Sequence, residues 1–377
     1  MSGGVDSSVA AALLREQGYD VVGVTMQIWP DVAEDEAYSH GGCCSVTAAH
    51  DARRVAAVLG IPHYVLNFKE VFAGRVISNF CAEYESGRTP NPCLICNRDI
   101  KFGELLGKAR ELGASFVATG HYARVVTDPS TGRRLLLKGV DRGKDQSYAL
   151  YMLSQEQLAA AMFPLGGMRK TEVRRLAARL GLPTADKPES QEICFVTSGD
   201  YREFLESRHP RVATPGPIVD RSGNVLGTHR GLAFYTVGQR RGLGIAKEIP
   251  LYVIDIDPAR NALVVGTAGE AMSSEFAVYQ ANFIPFDSLT GPLDVRCKIR
   301  YRAAEAPATI EPIDSVAWSS SPGGRLTQNR RARVRLHEPQ RAITPGQSAV
   351  FYDGEVVVGG GIIERAMLPD VHVLRIM

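Results

Sequence analysis

The stretch Ser2-Gly3-Gly4-Val5-Asp6-Ser7-Ser8, running straight into Val9, Ala12 and Leu13, decides how the first half of this chain is read. Two glycines permit a tight turn with backbone close to a ligand. Ser7 and Ser8 place hydroxyls at the start of a helical pattern, where unpaired N–H groups and the helix dipole attract anions. No lysine stands where the common phosphate loop requires one, so this is a different anion cradle. The plain alternative is an ordinary Ser/Asp helix cap after a glycine turn. Gly-Gly alone would favour that alternative; the full seven-residue string does not.

Outward from this stretch, to about Leu180, apolar β-rich runs (Val21–Val24, His63–Leu66, Phe116–Thr119) alternate with helical patterns (Val9–Arg15, Ser45–Leu59, Ile100–Leu112). Such alternation predicts an α/β domain with a parallel sheet covered on both faces by helices. After about Pro215 short β-like runs are separated by turn signals such as Ser222-Gly223-Asn224, Pro345-Gly346 and Asp353-Gly354. A small β-rich middle domain followed by a β-barrel is expected there. The expected boundaries are 1–205, 206–275 and 276–377. The stretch from Ser319 to Arg331 reads as an exposed loop. No internal repeat is evident.

Composition narrows the class. A chain of 377 residues is too long for one ordinary core, and 45% hydrophobic with 22% charged residues is the make-up of a soluble globular protein. No uninterrupted apolar run approaches the ~18 residues of a membrane span. The first residues lack the basic-then-apolar order of a signal peptide, so a cytoplasmic location is expected. Net charge is only +2, so any RNA-binding surface must be local. The seven cysteines are an odd number in a long chain without an export signal, which points to thiols with chemical work rather than a disulfide framework.

The opening string resembles the pyrophosphatase loop of enzymes that split ATP into AMP and pyrophosphate and adenylate a carbonyl oxygen. GMP synthetases, NAD synthetases and argininosuccinate synthases resemble it here too. A second stretch discriminates among them: Arg88-Thr89-Pro90-Asn91-Pro92-Cys93-Leu94-Ile95-Cys96-Asn97, in which two prolines predict an extended loop before the helical run from Ile100. With Ser190-Gln191-Glu192-Ile193-Cys194-Phe195, Gly120-His121-Tyr122-Ala123-Arg124 and Lys144-Asp145-Gln146-Ser147-Tyr148, the set resembles the bacterial tRNA-specific 2-thiouridylase family over nearly the whole chain.

That resemblance implies an adenine nucleotide alpha hydrolase-like N-terminal domain and a C-terminal β-barrel that contacts tRNA. It implies ATP with Mg2+ at Ser2, Gly3, Gly4, Val5, Asp6, Ser7, Ser8, Met26 and Gly120. It assigns tRNA contact to Asn91, Pro92, Cys93, His121, Lys144, Asp145, Gln146, Arg300, Tyr301 and Gln347. It makes Cys194 the persulfide carrier and Cys96 its partner nucleophile, both on loops over the ATP site. The implied partners are tRNA and a cysteine desulfurase or sulfur-relay protein. The chemistry suits these residues, since a thiolate or persulfide is the best soft nucleophile a protein offers, and two cysteines close into a disulfide as sulfur leaves. A single cysteine is otherwise commonly a small core residue.

Some family members carry an aspartate where this chain has Cys93, so that residue's proton-transfer role does not carry over. Cys93, Cys96 and Cys194 instead offer three thiolates to an iron–sulfur cluster as an alternative route. Zinc on these cysteines with Cys43 and Cys44 is less favoured, as no second CxxC or His pair is present. The vicinal pair Cys43-Cys44 reads as structural. Two basic runs, Arg296-Lys298-Arg300-Arg302 and Arg330-Arg331-Arg333-Arg335, alternate as if each lined one face of a strand, and phosphates would relieve their repulsion; a solvated barrel face is the alternative for the second. Tyr301 is placed to stack on a splayed base. Two rival functions stay open: a small-molecule adenylating ligase, which would not need Cys96 and Cys194, and a non-catalytic tRNA binder. Finally, a loop of this kind hangs from the end of a strand of ~5–6 residues. Met1 stands directly before Ser2, so an upstream start is expected.

Overall fold

The computed structural model describes residues 1–28, 46–188, 193–196, 199–313 and 330–366 of the chain. Expectations at Cys43-Cys44, at Ser190-Gln191-Glu192 and over most of Ser319–Arg331 concern residues outside that set. Two compact units are present. One comprises Met1–Asn79, Pro92–Phe204 and Glu355–Val357; the other comprises Phe80–Asn91, Leu205–Gly354 and Val358–Met377.

The first unit is α/β, as the alternating pattern predicts. Strands β1 (Gly23–Gln27) and β2 (His63–Asn67) pair in parallel, Gly23 with His63 through Gln27 with Asn67. A second parallel pair joins β3 (Val117–Ala118) to β6 (Ala161–Met162), while β4 (Ala123–Thr127) and β5 (Arg134–Lys138) form an antiparallel hairpin. Helix α1 (Val5–Glu16) buries Val5, Ser8, Val9, Ala10, Ala11, Ala12 and Leu14, and so is enclosed on more than one side. The run of alanines costs little entropy in a helix and keeps the neighbours close. Helix α2 (Val46–Leu59) buries Ala48, Ala52, Val55, Ala56 and Leu59, a single stripe at helical spacing. Helix α3 is a continuous run made of Pro92–Ile95, a π-helical stretch Cys96–Glu104 and Leu105–Glu111. Helix α4 (Lys170–Arg179) buries Val173, Leu176 and Ala177, which join α1 and α2 in one core with Leu165 and Leu182.

The second unit is β-rich. A four-stranded sheet has the order β8 (Val225–His229), β7 (Gly216–Val219), β10 (Ala262–Gly266), β9 (Tyr252–Asp257), with β7 and β10 parallel and the rest antiparallel. Six further strands, β11 (Met272–Phe283), β14 (Ala332–Arg341), β13 (Ala306–Pro312), β12 (Leu293–Lys298), β15 (Ser348–Asp353) and β16 (Val356–Ala366), follow one another around a barrel that β11 and β16 close. Closure leaves no open edge. Residues alternate as a barrel demands: along β14, Ala332, Val334 and Leu336 face the core while Arg333 and Arg335 do not. No helix among the described residues is long and apolar enough to cross a membrane.

Local expectations are corrected in three places. β1 starts at Gly23, so Met26 lies inside the strand and not after it. Helix α3 begins at Pro92, eight residues before the predicted Ile100, because a proline at the first helical position has its missing N–H where none is needed. Strand β12 ends at Lys298, so Arg300 and Arg302 fall in the following turn and do not continue an alternating face.

Phe276, fully buried on β11, pairs with both β14 and β16 and so sits at the closure of the barrel. Phe276→Ala should destabilise the barrel by about 3–5 kcal/mol. Urea unfolding followed by circular dichroism would measure this, and a loss under about 1 kcal/mol would show that closure does not depend on that ring.

Candidate active site

The opening loop is held in shape by contacts that only its own residue types allow. Gly3 has φ +63°, and a Cβ there would lie 2.3 Å from the Ala48 carbonyl oxygen, so nothing larger than glycine fits. Gly4 caps α1 in an extended conformation and no side chain caps the helix, which leaves its first-turn N–H groups to a ligand. The Ser2 N–H donates to Ser7 Oγ at 3.1 Å, the two hydroxyls are 3.1 Å apart, and Ser7 Oγ donates to the Gly4 carbonyl at 3.2 Å. Ser8 is buried; its Oγ donates to the Gly4 carbonyl at 2.8 Å and accepts from Thr184 Oγ1 at 3.1 Å. Val5 belongs to the core beneath. Val5 and Ser8 therefore hold the loop, while Ser2, Gly4 and Ser7 line it.

Asp6 sits in the first turn of α1. Lys170 Nζ donates to both of its carboxylate oxygens at 2.7 Å, and Tyr122 Oη donates to Oδ1 at 2.8 Å. Gly120 presses its backbone against the same turn: a Cβ would lie 2.7 Å from the Asp6 carbonyl carbon and 2.9 Å from the Ser7 nitrogen. Lys187 Nζ donates to the Gly3 carbonyl at 3.0 Å and to Asp51 Oδ2 at 2.7 Å. The loop carries no lysine of its own, yet two arrive from later in the chain. Sequence reasoning missed Lys170, Lys187 and Tyr122. The one available signal was a lysine on the buried stripe of α4, where an apolar residue belongs.

Met26 is half-buried, in register with Leu66. His121 is half-buried next to the loop-facing Gly120; its Nδ1 lies 2.7 Å from Thr119 Oγ1 and its ring meets Phe163 edge-on at 5.9 Å. Desolvation, with the Lys101 ammonium as a second cause, holds the His121 pKa well below the usual histidine value. Asp145 and Gln146 are spent within the fold. Asp145 Oδ1 accepts from the N–H groups of Gly139 and Ser147 at 2.9 and 3.1 Å, and Gln146 Oε1 accepts from the Tyr122 N–H at 3.0 Å. The half-buried Lys144 lies in the same turn.

The cysteines fall into two groups. Cys81 and Cys297 are buried, and burial pushes both thiols up, Cys297 far beyond the range in which thiolate forms. They are core residues. Cys93 is exposed, and Cys96 and Cys194 are half-buried. Cys93 and Cys96 lie on helix, not on the predicted loop, and three residues apart they share one face. Cys96 opens the π-helical stretch, and π-helical turns concentrate at functional sites. This start is tied down by Asn97, whose Nδ2 donates to the Ala149 carbonyl at 2.9 Å and whose Oδ1 accepts from Lys101 Nζ at 2.9 Å. Cys194 lies in a turn anchored by Phe195, which is buried against Phe72 and Phe204 with ring centroids 5.8 and 5.3 Å away. Among the described residues no three Cys, His, Asp or Glu side chains converge as metal ligands.

In the second unit, Gln347 Nε2 donates to the Thr89 carbonyl at 2.8 Å, and the Thr89 N–H donates to the Pro345 carbonyl at 2.8 Å. The Pro345-Gly346-Gln347 turn thereby fixes the segment that leads to Asn91. The two basic runs separate. Arg331 pairs with Glu364, Arg333 and Arg335 with Glu275, and Arg335 also with Glu311, so three of the four arginines of the second run face carboxylates. In the first, Arg296 donates to the Glu305 carbonyl, while Arg300 and Arg302 are exposed and no described carboxylate pairs with either. Tyr301 is 39% exposed, with Lys298 Nζ 5.6 Å from its ring centroid.

A depressed histidine pKa has a defined consequence. Below pH 6.5 the unfolded chain protonates His121 while the folded chain does not, so stability falls as pH drops through that value. Thermal melts at pH 7.5 and 5.5 should show a smaller pH-dependent loss in His121→Gln than in the wild type. His63 and His229, depressed in the same direction, keep part of the loss in both proteins. An identical loss would show that His121 titrates normally.

Three family models match: a tRNA methyl transferase HUP domain at residues 1–198, a tRNA methyl transferase PRC-barrel domain at 202–267 and an aminomethyltransferase beta-barrel domain at 324–363. The tRNA-specific 2-thiouridylase MnmA of Moorella thermoacetica is 55% identical over 97% of this chain and 98% of its own length. The proteins of the same name from Heliobacterium modesticaldum and Acetivibrio thermocellus are 53% and 52% identical, over 99% and 97% of this chain and 94% and 98% of their own. With a HUP domain, a PRC-barrel domain and a closed six-stranded barrel in that order, this chain belongs to the tRNA-specific 2-thiouridylase family.

Proposed function

We propose that this protein replaces the C2 oxygen of the wobble uridine of tRNA with sulfur, using ATP to activate the oxygen and a persulfide on Cys194 to supply the sulfur. One observation carries the proposal. A single compact unit holds both an uncapped helix N-terminus shaped by Gly3, Gly4 and Gly120 and two half-buried thiols, Cys96 and Cys194, that are not core residues. A small-molecule adenylating ligase needs only the first of these.

The loop residues suit a nucleotide. Gly3 and Gly120 let the segments at Ala48 and Asp6–Ser7 close tightly on the loop, and the first-turn N–H groups of α1 carry no side-chain cap and so suit a phosphate. ATP held there supplies the adenylyl group that makes the uracil oxygen a leaving group; Mg2+ would ride on its phosphates, which suits an ion that needs only one or two protein carboxylates. Met26, half-buried on β1, is assigned to the adenine.

The outer sulfur of the Cys194 persulfide attacks C2, and the activated oxygen departs with AMP. The Cys96 thiolate then attacks Cys194 Sγ and breaks its bond to the transferred sulfur, which leaves on C2 with the electron pair, so 2-thiouridine is released and a Cys96–Cys194 disulfide remains for an external thiol to reduce. A cysteine desulfurase or relay protein reloads Cys194. Contact with tRNA is assigned to Pro92, Cys93, His121 and Lys144, and to Arg300 and Tyr301 on the barrel. Asn91 is assigned to tRNA contact as well, while Asp145, Gln146 and Gln347 are assigned to shaping those contacts.

Cys96→Ser and Cys194→Ser should each abolish thiolation while leaving ATP binding and thermal stability at wild-type values, because neither thiol is assigned to the nucleotide. Nucleoside mass spectrometry of treated tRNA checks the product and equilibrium dialysis checks ATP. Normal 2-thiouridine from either variant excludes the persulfide route.

A further inference from the structure

Lys170 is out of place for a structural residue. It is the first residue of α4, on the stripe that otherwise buries Val173, Leu176 and Ala177, and its side chain is only 10% exposed. Burying an ammonium costs several kcal/mol unless it is paired. Its ammonium is paired with Asp6 through two hydrogen bonds of 2.7 Å, one to each oxygen. Its backbone is fixed independently, as the Lys170 N–H donates to Asp141 Oδ2 at 2.9 Å. Tyr122 completes the arrangement by donating to Asp6 Oδ1 at 2.8 Å and lying 5.8 Å beneath Lys170 Nζ. Both ends of the pair are therefore anchored before any ligand arrives.

We infer that Lys170 is a positioning residue of the nucleotide loop, acting through Asp6; the inference rests on the ATP-binding reading above. Asp6 is the second residue of a helix whose first-turn N–H groups no side chain caps. A free carboxylate at that position is drawn to those N–H groups, since a negative charge is stabilised there. It would then occupy and repel the phosphate site. Lys170 takes both carboxylate oxygens, turns Asp6 toward α4, cancels its charge and leaves the N–H groups to the anion. The lysine that the common phosphate loop carries within itself is here supplied from 164 residues away, and is spent on a carboxylate of the loop.

A purely structural salt bridge between α1 and α4 is the competing role, and a double-mutant cycle separates the two. ATP dissociation constants are measured by equilibrium dialysis for the full-length wild type, Lys170→Met, Lys170→Arg, Asp6→Asn and the Lys170→Met/Asp6→Asn double variant, with melting temperature and tRNA filter binding alongside. Lys170→Met should weaken ATP binding about tenfold, the size usual for coupled neighbours. Lys170→Arg, which keeps the charge, should restore most of it. The double variant should bind ATP no worse than Asp6→Asn, because without the carboxylate there is nothing to position. Tyr122→Phe provides a second arm of the cycle that keeps the ion pair, and should show the same dependence on Asp6 even if Lys170→Met does not fold. Wild-type affinity in Lys170→Met, or effects of Lys170→Met and Asp6→Asn that simply add, overturns the inference alone. Failure of the wild type to bind ATP overturns the reading on which it rests.

Discussion

The carboxylate of Asp6 accepts three hydrogen bonds, two from Lys170 and one from Tyr122, and much of the first unit is arranged around that point. Tyr122 is held by Gln146, which accepts from its N–H and donates to its carbonyl at 3.0 and 2.9 Å. Lys170 is held by Asp141. Gly120 is glycine because the Asp6–Ser7 backbone passes where its side chain would be. Gly3 is glycine because Ala48 passes on the other side, and Lys187 grips its carbonyl. A loop with two glycines is entropically costly to order. Contacts from the segments at 48, 120, 170 and 187 offset that cost, so the anion site is formed before a ligand meets it.

Some of this was legible in the sequence because the chemistry is contiguous there. Ser2 to Ser8 form a turn and a helix start whatever surrounds them, and the alternation of apolar runs identifies the α/β unit by period alone. The barrel was legible from turn signals. Lys170, Lys187 and Tyr122 were not, because they reach the loop across 164, 184 and 116 residues, and no local pattern records a partner so distant. The helix at Pro92 was misread because two prolines in three residues suggest extended chain, whereas Pro92 begins a helix without losing a hydrogen bond. The first basic run was misread as a strand face, and the second as an uncompensated one, for a related reason. Spacing of two does not reveal that β12 stops at Lys298, nor that Glu275, Glu311 and Glu364 lie opposite the second run.

The cysteines illustrate how burial sorts residues that composition cannot. Burial raises the thiol pKa of Cys81 and Cys297, which disfavours the thiolate that a nucleophile needs. Cys96 and Cys194 are half-buried, each beside an anchor: Asn97 bonded to the Ala149 carbonyl, and Phe195 packed between two rings. Rigid neighbours beside a reactive atom are what positioning chemistry requires. Gln347 plays a comparable part for the segment before Asn91, bonding two of its carbonyls at 2.8 and 3.4 Å.

The central proposal is that the uracil oxygen itself is adenylated before sulfur arrives. In that route the oxygen gains a bond to the α-phosphorus and loses its bond to C2. A substrate tRNA whose wobble uridine carries 18O at C2 therefore tests the chemistry directly. After one turnover, mass spectrometry should find the 18O in the phosphate of AMP. AMP free of 18O, with 2-thiouridine formed, would contradict adenylation of the base.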